Sequence, residues 1–424
     1  MRILWLCNMI PPAAALKMRL KPSDKEGWVV GAAHALAESK EQELGMAFPV
    51  PRDRDGFRLS EQGTEYFGFF EDTGHPERYD PLLPDRLRTI IDEFKPDIVH
   101  IFGTEYPHTL AMTRVFKDDP GRVLIGLQGI VDACAKFYYA GIPERVIRRV
   151  TFRDLIRRDT VKGQKNKFEL RAANEISALK AAANVTGRTA FDREYATSVN
   201  PKLRYFHMNE TLRRDFYDLP SEGTVKEPFS IFISQGNYPL KGAHFMLEAL
   251  RLIKAEFPSA RLYIAGDNIT KHSTFKERIK LSSYGKYLLE LIDRYDLKDC
   301  VVFTGSLNAA DFKARLLRSS VYVCPSVIEN SPNSLGEAML LKVPSVAAKV
   351  GGIPSIFDDG RDGILYPYDD VNALKEAVCR IFREPDTAAE FTEHARQHAL
   401  ETHDEKGNYK RLKEIYTQMM DGVR

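Results

Sequence analysis

Apolar residues in this chain gather into short runs, each closed by a polar or glycine-containing loop and followed by a longer stretch whose apolar positions recur three and four apart. The short runs read as buried strands and the longer stretches as amphipathic helices. In the first half the pattern predicts strands over Met1–Cys7, Glu43–Pro49, Ile98–Ile101, Val123–Leu127 and Asn184–Thr186. Helices are predicted over Val29–Ser39, Pro84–Phe94, Val146–Arg158 and Asn166–Ala182. The second half alternates in the same way, with strands over Phe229–Ser234, Arg261–Ala265, Val301–Phe303, Val321–Cys324, Ser345–Ala348 and Ile364–Tyr366. Strand, loop and helix in regular succession imply doubly wound α/β layers, because a parallel strand pair needs a crossover helix. A polar Pro/Gly stretch, Asp218–Thr224, separates the halves and marks the expected domain boundary.

Length and charge narrow the class. With 424 residues the chain exceeds what one core usually fills, so two domains are expected. Its 61 basic and 59 acidic residues leave a formal charge of +2, which argues against a nucleic-acid partner. Five cysteines, Cys7, Cys134, Cys300, Cys324 and Cys379, show no Cys-x-x-Cys spacing, so neither a disulfide framework nor a zinc site is indicated and a reducing cytoplasm is expected. The apolar run Ile3–Cys7 is broken at Asn8, too short for a signal-peptide core and suited to a first buried strand. No segment approaches the roughly 18 apolar residues of a membrane-spanning helix.

Candidate chemistry concentrates in Pro325–Met339. Glu329 and Glu337 stand eight positions apart, with Ser331-Pro332-Asn333-Ser334-Leu335-Gly336 between the predicted strand Val321–Cys324 and a helix start. N–H groups at a helix start favour anionic or hydroxyl-rich ligands, and carboxylates accept hydrogen bonds from vicinal hydroxyls. A second loop, Ser234–Gly242, follows another strand and brings Lys241. The Glu-x7-Glu spacing, the Lys241-Gly242 pair and the downstream Gly351-Gly352 together resemble the retaining nucleotide-sugar glycosyltransferases of GT-B fold, glycosyltransferase family 4.

That resemblance implies two Rossmann-like domains facing a cleft. Residues 1–217 would bind the acceptor and 218–404 the donor, while 405–424 form a helix that crosses back onto the first domain. It implies a hexose moved, with retention and without a metal or other cofactor, from a UDP- or GDP-sugar to a saccharide or lipid-linked acceptor in cell-surface polysaccharide or glycolipid assembly. Lys241 would contact the donor diphosphate, with Asn237 where relatives carry an arginine. Glu337 would hold the ribose and Glu329 the transferred sugar; N–H groups around Asn333, Ser334 and Leu335 would hold sugar or phosphate oxygens. The loops bearing Asp267 and Leu307 would lie near the base, and Gly27 would stand in the glycine-rich first loop beside Glu26 and Trp28. Gln128 occupies the place of a family histidine near the reacting sugar, and His100, with Thr104 and Glu105 after it, is a candidate for binding an acceptor hydroxyl. Arg188 at another strand end would face the cleft or lie on the surface. The runner-up reading is a catalytically silent homologue that serves as a binding partner in a polysaccharide assembly complex.

Two further segments carry charge. Between Glu144 and Arg171 there are ten Lys/Arg and four Asp/Glu, with Val146, Ile147, Val150, Leu155 and Ile156 among them. This reads either as a peripheral contact with the inner face of the cytoplasmic membrane or as a solvated helix packing its apolar stripe on the core. Asp53-Arg54-Asp55 is similar to the metal-binding Asp-x-Asp of the other glycosyltransferase fold, but it sits in a Pro/Arg/Gly turn with no apolar strand before it and reads as a solvated loop.

Overall fold

A computed structural model describes residues 1–22, 29, 31–33, 36, 42–220 and 224–421. Gly27, with Glu26 and Trp28, lies outside the described residues, as does most of the helix predicted over Val29–Ser39. The chain divides into two compact units. The first joins Met1–Asp132, Lys167–Arg213 and His403–Arg424; the second joins Ala133–Asn166 and Arg214–Thr402. A single linear division would have assigned 133–166 to the first domain. The structure assigns it to the second, for packing reasons described below.

The first unit is built on eight strands: β1 (Arg2–Leu6), β2 (Glu43–Val50), β3 (Arg58–Glu61), β4 (Thr64–Phe70), β5 (Ile98–Phe102), β6 (Val123–Gly126), β7 (Asn184–Gly187) and β8 (Arg204–His207). They lie in the order β3-β4-β2-β1-β5-β6-β7-β8, and all neighbouring pairs are parallel except β3 with β4. Ile3 to Leu6, all 0% exposed, illustrate why the central strands read as continuous apolar runs: both faces are covered. Three strands escape the periodicity. Arg58–Glu61 and Arg204–His207 are short, polar edge strands. Thr64–Phe70 is tied to the first of these by Gln62-Gly63, whose φ values of 51° and 76° suit the tight turn of a two-residue hairpin.

The last helix, Glu405–Asp421, belongs to this unit. It buries Leu412, Ile415, Tyr416 and Met419 against Ile3, Trp5, Cys7 and Ile98. The Tyr416 hydroxyl accepts from Trp5 Nε1 at 2.9 Å and lies 2.8 Å from His100 Nδ1. The Asp53–Asp55 stretch is an exposed turn, with Asp55 accepting from the Phe70 N–H at 2.7 Å.

The second unit carries β9 (Ser230–Ile233), β10 (Arg261–Ala265), β11 (Val301–Gly305), β12 (Val321–Cys324), β13 (Ser345–Ala348) and β14 (Ile364–Tyr366), in the order β11-β10-β9-β12-β13-β14 and parallel throughout. The helix predicted over Val146–Arg158 is instead two helical turns, Glu144–Ile147 and Phe152–Arg157. Thr151 breaks it by capping the second turn: its hydroxyl accepts from the Asp154 N–H while the Asp154 carboxylate accepts from the Thr151 N–H. Asp154 also accepts from the Ser283 N–H at 3.0 Å, and the Ser283 hydroxyl donates to the Val146 carbonyl at 2.7 Å. Arg145 and Arg149 both reach Glu290 at 2.7 Å. At Gly141, φ is +71° and a Cβ would fall 2.2 Å from Phe245. These contacts bind residues 133–166 to the second sheet's helices.

Candidate functional site

Three segments of the second unit converge at the carboxyl ends of β9 and β12, the edge where open α/β sheets hold ligands. The loop after β9 narrows into a single 3-10 turn, Pro239–Lys241, and ends on Gly242 in the left-handed region at φ +67°. A Cβ on Gly242 would stand 1.7 Å from the Pro325 carbonyl oxygen, so only glycine permits this approach. The Val327 N–H donates to the Leu240 carbonyl at 2.8 Å and locks the two loops together.

This lock brings Lys241 and Glu329, 88 residues apart in sequence, to 2.5 Å. Their side chains are 21% and 15% exposed. Glu329 also accepts from the Ser326 hydroxyl at 2.8 Å, and its backbone carbonyl accepts from the Gly352 N–H at 3.0 Å. A Cβ on Gly351, at φ +51°, would lie 2.0 Å from that same carbonyl, which accounts for glycine at this position. Burial alone would lower the Lys241 pKa, but the Glu329 carboxylate outweighs it and holds the ammonium well above its ordinary value. Burial, reinforced by Glu329, pushes the neighbouring Cys324 thiol up to about 12, so it stays protonated and unreactive.

Beside this pair lies a hydroxyl cluster. Tyr322 OH donates to Ser234 Oγ at 3.2 Å and sits 2.7 Å from Ser334 Oγ, which itself donates to Ser234 at 3.3 Å. Ser334 belongs to the first turn of the helix Asn333–Leu340, which has Pro332 at its cap and no side-chain cap bond. Glu337, 3% exposed, and Leu335, fully buried, follow on that helix. Asn333 Oδ1 and Asn237 Oδ1 are buried without a hydrogen-bond partner among the described residues. The loops after β10 and β11 meet as well: the Gly266 N–H donates to the Gly305 carbonyl at 2.9 Å, and Ser306 Oγ donates to Asp267 at 3.4 Å, with Leu307 half-buried next to them. Of the residues singled out from sequence, Asn237, Lys241, Asp267, Leu307, Glu329, Asn333, Ser334, Leu335 and Glu337 thus belong to one unit and follow neighbouring strands of one sheet.

The first unit departs from expectation. His100 is not at a strand end but in the middle of β5, 0% exposed. It packs against Trp5 and Phe102 and is bonded to Tyr416, and burial lowers its pKa to about 3. A neutral core histidine that anchors the last helix replaces the acceptor-binding residue expected there. Gln128 donates to Glu210 at 2.5 Å and accepts from Arg188 Nη2 at 3.0 Å, and Arg188 also pairs with Glu210. Arg188 is 5% exposed, which closes the surface alternative. Thr104 donates to the buried Glu175, which also accepts from the Val131 and Asp132 N–H groups at 3.0 Å; burial nonetheless raises its pKa to about 7. Glu105 accepts from Asn8 at 3.1 Å and from the Gly129 N–H at 3.0 Å.

Sequence reasoning missed His108. Its Nδ1 lies 2.5 Å from Glu71 and its Nε2 lies 2.9 Å from Asn8 Oδ1, which joins it to the Glu105 network at the carboxyl ends of β1 and β5. No local pattern marks it. His108 sits in the first turn of an ordinary helix, Pro107–Val115, and its partners come from 37 and 100 residues away.

Residues 218–398 match the family model of glycosyl transferases group 1. A putative colanic acid biosynthesis glycosyltransferase of Salmonella typhimurium is 29% identical over 149 residues, 34% of this chain and 33% of that protein. An alpha-maltose-1-phosphate synthase of Mycolicibacterium smegmatis is 40% identical over 92 residues, 20% of this chain and 24% of that protein. The matches thus span a third or less of these relatives' own length. Among solved structures, a sucrose-phosphate synthase from Thermosynechococcus elongatus superposes with a TM-score of 0.71 at 16% identity, covering 100% of both chains. Anabaena HepE in complex with UDP-glucose does so with a TM-score of 0.66 at 16% identity, over 99% of this chain and 100% of that one. At this identity the likeness establishes the fold, which is GT-B.

Proposed function

We propose that this chain, whose residues 218–398 match the group 1 glycosyl transferase model, is a retaining hexosyltransferase that uses a UDP- or GDP-sugar and a saccharide or lipid-linked acceptor. Polysaccharide or glycolipid assembly is the proposed setting, in line with the relative named for colanic acid biosynthesis. The observation that carries the reading is the meeting of Lys241 and Glu329 beside the Ser234–Tyr322–Ser334 hydroxyls, at the end of a parallel sheet. Diphosphate, sugar and ribose offer anionic and hydroxyl groups to match that set.

In this reading Lys241 stabilises charge growing on the leaving diphosphate, and protein cations rather than a metal neutralise it. The bond from the anomeric carbon to the diphosphate oxygen breaks as the acceptor hydroxyl attacks on the same face, and the acceptor proton passes to the departing diphosphate. The protein contributes positioning. Glu337 holds the ribose and Glu329 the transferred sugar, so Glu337→Ala weakens the free nucleotide and the nucleotide-sugar alike, while Glu329→Ala spares the free nucleotide. Losses of about tenfold to a hundredfold follow from about 1.5–3 kcal/mol per charged hydrogen bond and are read by calorimetry with UDP and GDP. Wild-type affinities in both variants would remove the assignment.

We place a membrane contact in the same reading. Val150, Phe152, Leu155 and Ile156 are each more than half exposed, and Arg148 and Arg158 stand among them. Apolar side chains set in a basic segment suit an anionic lipid surface. Among the described residues no helix is long and apolar enough to cross a membrane.

A further inference from the structure

A cavity of about 590 Å³ opens in the second unit beside the loop that carries Lys241. Asn237 and Pro239 of that loop line it, as does Asp267 from the loop after β10. Its other wall comes from residues 133–166, which supply Arg153 and Arg157. Lys271 and Lys280 complete four cations, against the two acids Asp267 and Glu277. With Arg153 paired, Arg157, Lys271 and Lys280 stand against Asp267 and Glu277, an excess of one cation. Arg153 is held by Asp154 and Asp159 at 3.1 and 3.2 Å, Glu277 caps a helix by accepting from the Thr274 N–H at 3.0 Å, and Asp267 accepts from Ser306. Arg157 has no ion pair or hydrogen bond among the described residues. Nor is its position accidental. Asp154, three residues earlier on the same helical turn, is tied both to Thr151 and to the Ser283 N–H, so the turn is fixed on the second unit.

A net positive, largely polar cavity with an uncommitted guanidinium suits a phosphate-bearing ligand, for which arginine offers two parallel donors. On the opposite wall, the buried and unpartnered Asn237 Oδ1 shows that the loop itself brings an amide, not a cation, to this place.

We infer that this cavity receives the diphosphate of the nucleotide-sugar, and that Arg157, delivered by the inserted segment 133–166, is a phosphate-binding residue of the donor site alongside Lys241. The inference rests on the proposed function and deepens it: a segment lying outside residues 218–398 would complete the donor site. It also ties donor binding to a stretch whose apolar neighbours, Leu155 and Ile156, are exposed.

Calorimetry on the full chain tests it with UDP and GDP, the corresponding nucleosides, and the variants Arg157→Gln and Lys241→Ala. Because Arg157 is exposed, the substitution should leave the fold intact, and matching circular dichroism spectra check this. Arg157→Gln is expected to weaken the nucleoside diphosphate by about tenfold, the effect of one charged hydrogen bond, while leaving the nucleoside within about twofold. Should Arg157→Gln keep the diphosphate affinity while Lys241→Ala loses it, the inference falls and the proposed function stands. The inference also falls if Arg157→Gln changes only the KM of a phosphate-bearing acceptor, since the cavity would then serve the acceptor. If neither UDP nor GDP binds the unaltered protein below about 1 mM, the proposed function and the inference fall together.

Discussion

The Lys241–Glu329 pair lets the geometry of the candidate site be tested as an energy. Two unit charges about 4 Å apart at an effective dielectric of about 20 attract by about 4 kcal/mol before the cost of removing each from water. Exposures of 21% and 15% place the pair between a surface bridge and a buried one, so a net coupling of about 2 kcal/mol is expected. Lys241→Met leaves the Glu329 carboxylate leaning on the Ser326 hydroxyl, a neutral donor, and should destabilise the second unit by about 2–3 kcal/mol. Glu329→Gln leaves the ammonium 5.8 Å from the Tyr238 ring, a weaker partner, and should cost slightly less. With both replaced, most of the loss should be regained. The assay is a double-mutant cycle on urea midpoints at pH 7, followed by far-ultraviolet circular dichroism. Trp5 is buried in the core of the first unit, so its fluorescence reports on that unit. A coupling below about 0.5 kcal/mol would refute the reasoning, for the pair would then behave as a screened surface bridge.

Two further outcomes are expected. Replacing Leu155 and Ile156 with Ser, which removes the apolar contact without adding charge beside Arg157, should abolish sedimentation with anionic vesicles and leave nucleotide affinity unchanged, since both side chains are exposed; equal sedimentation of variant and parent would rule out the membrane contact. Acid should destabilise both units through buried histidines: burial lowers His100 to about 3 and His244 to about 4, so in the folded chain both are neutral at pH 5 while the unfolded chain takes up protons below about 6.5. Stability from each is therefore fully present above that pH and lost as pH falls toward the folded value, by about 2 kcal/mol per histidine at pH 5. His100→Gln should remove that share of the drop seen by tryptophan fluorescence between pH 7 and 5; an undiminished drop would contradict it.

Sequence alone determined the α/β class, most of the central strands, the loops bearing Lys241 and Glu329, and the helix start ahead of Glu337. These features are local: a strand buried on both faces must be apolar throughout, and a loop that approaches another backbone must carry glycine, as at Gly242 and Gly351. The polar edge strands Arg58–Glu61 and Arg204–His207 left no such mark, because an edge needs little apolar surface. Tertiary structure decided what depends on partners distant in sequence. His100 looked like a polar residue near a strand end until Tyr416, 316 residues away, turned it into a core anchor. His108 acquired its partners only through the meeting of β1, β5 and the loop after β4. Residues 133–166 lie within the first half of the chain in sequence, yet Asp154, Arg145 and Gly141 hold them to the second unit. A residue's own chemistry limits what it can do, but burial and charge pairing assign the role, and both are sums over neighbours that only the folded chain brings together.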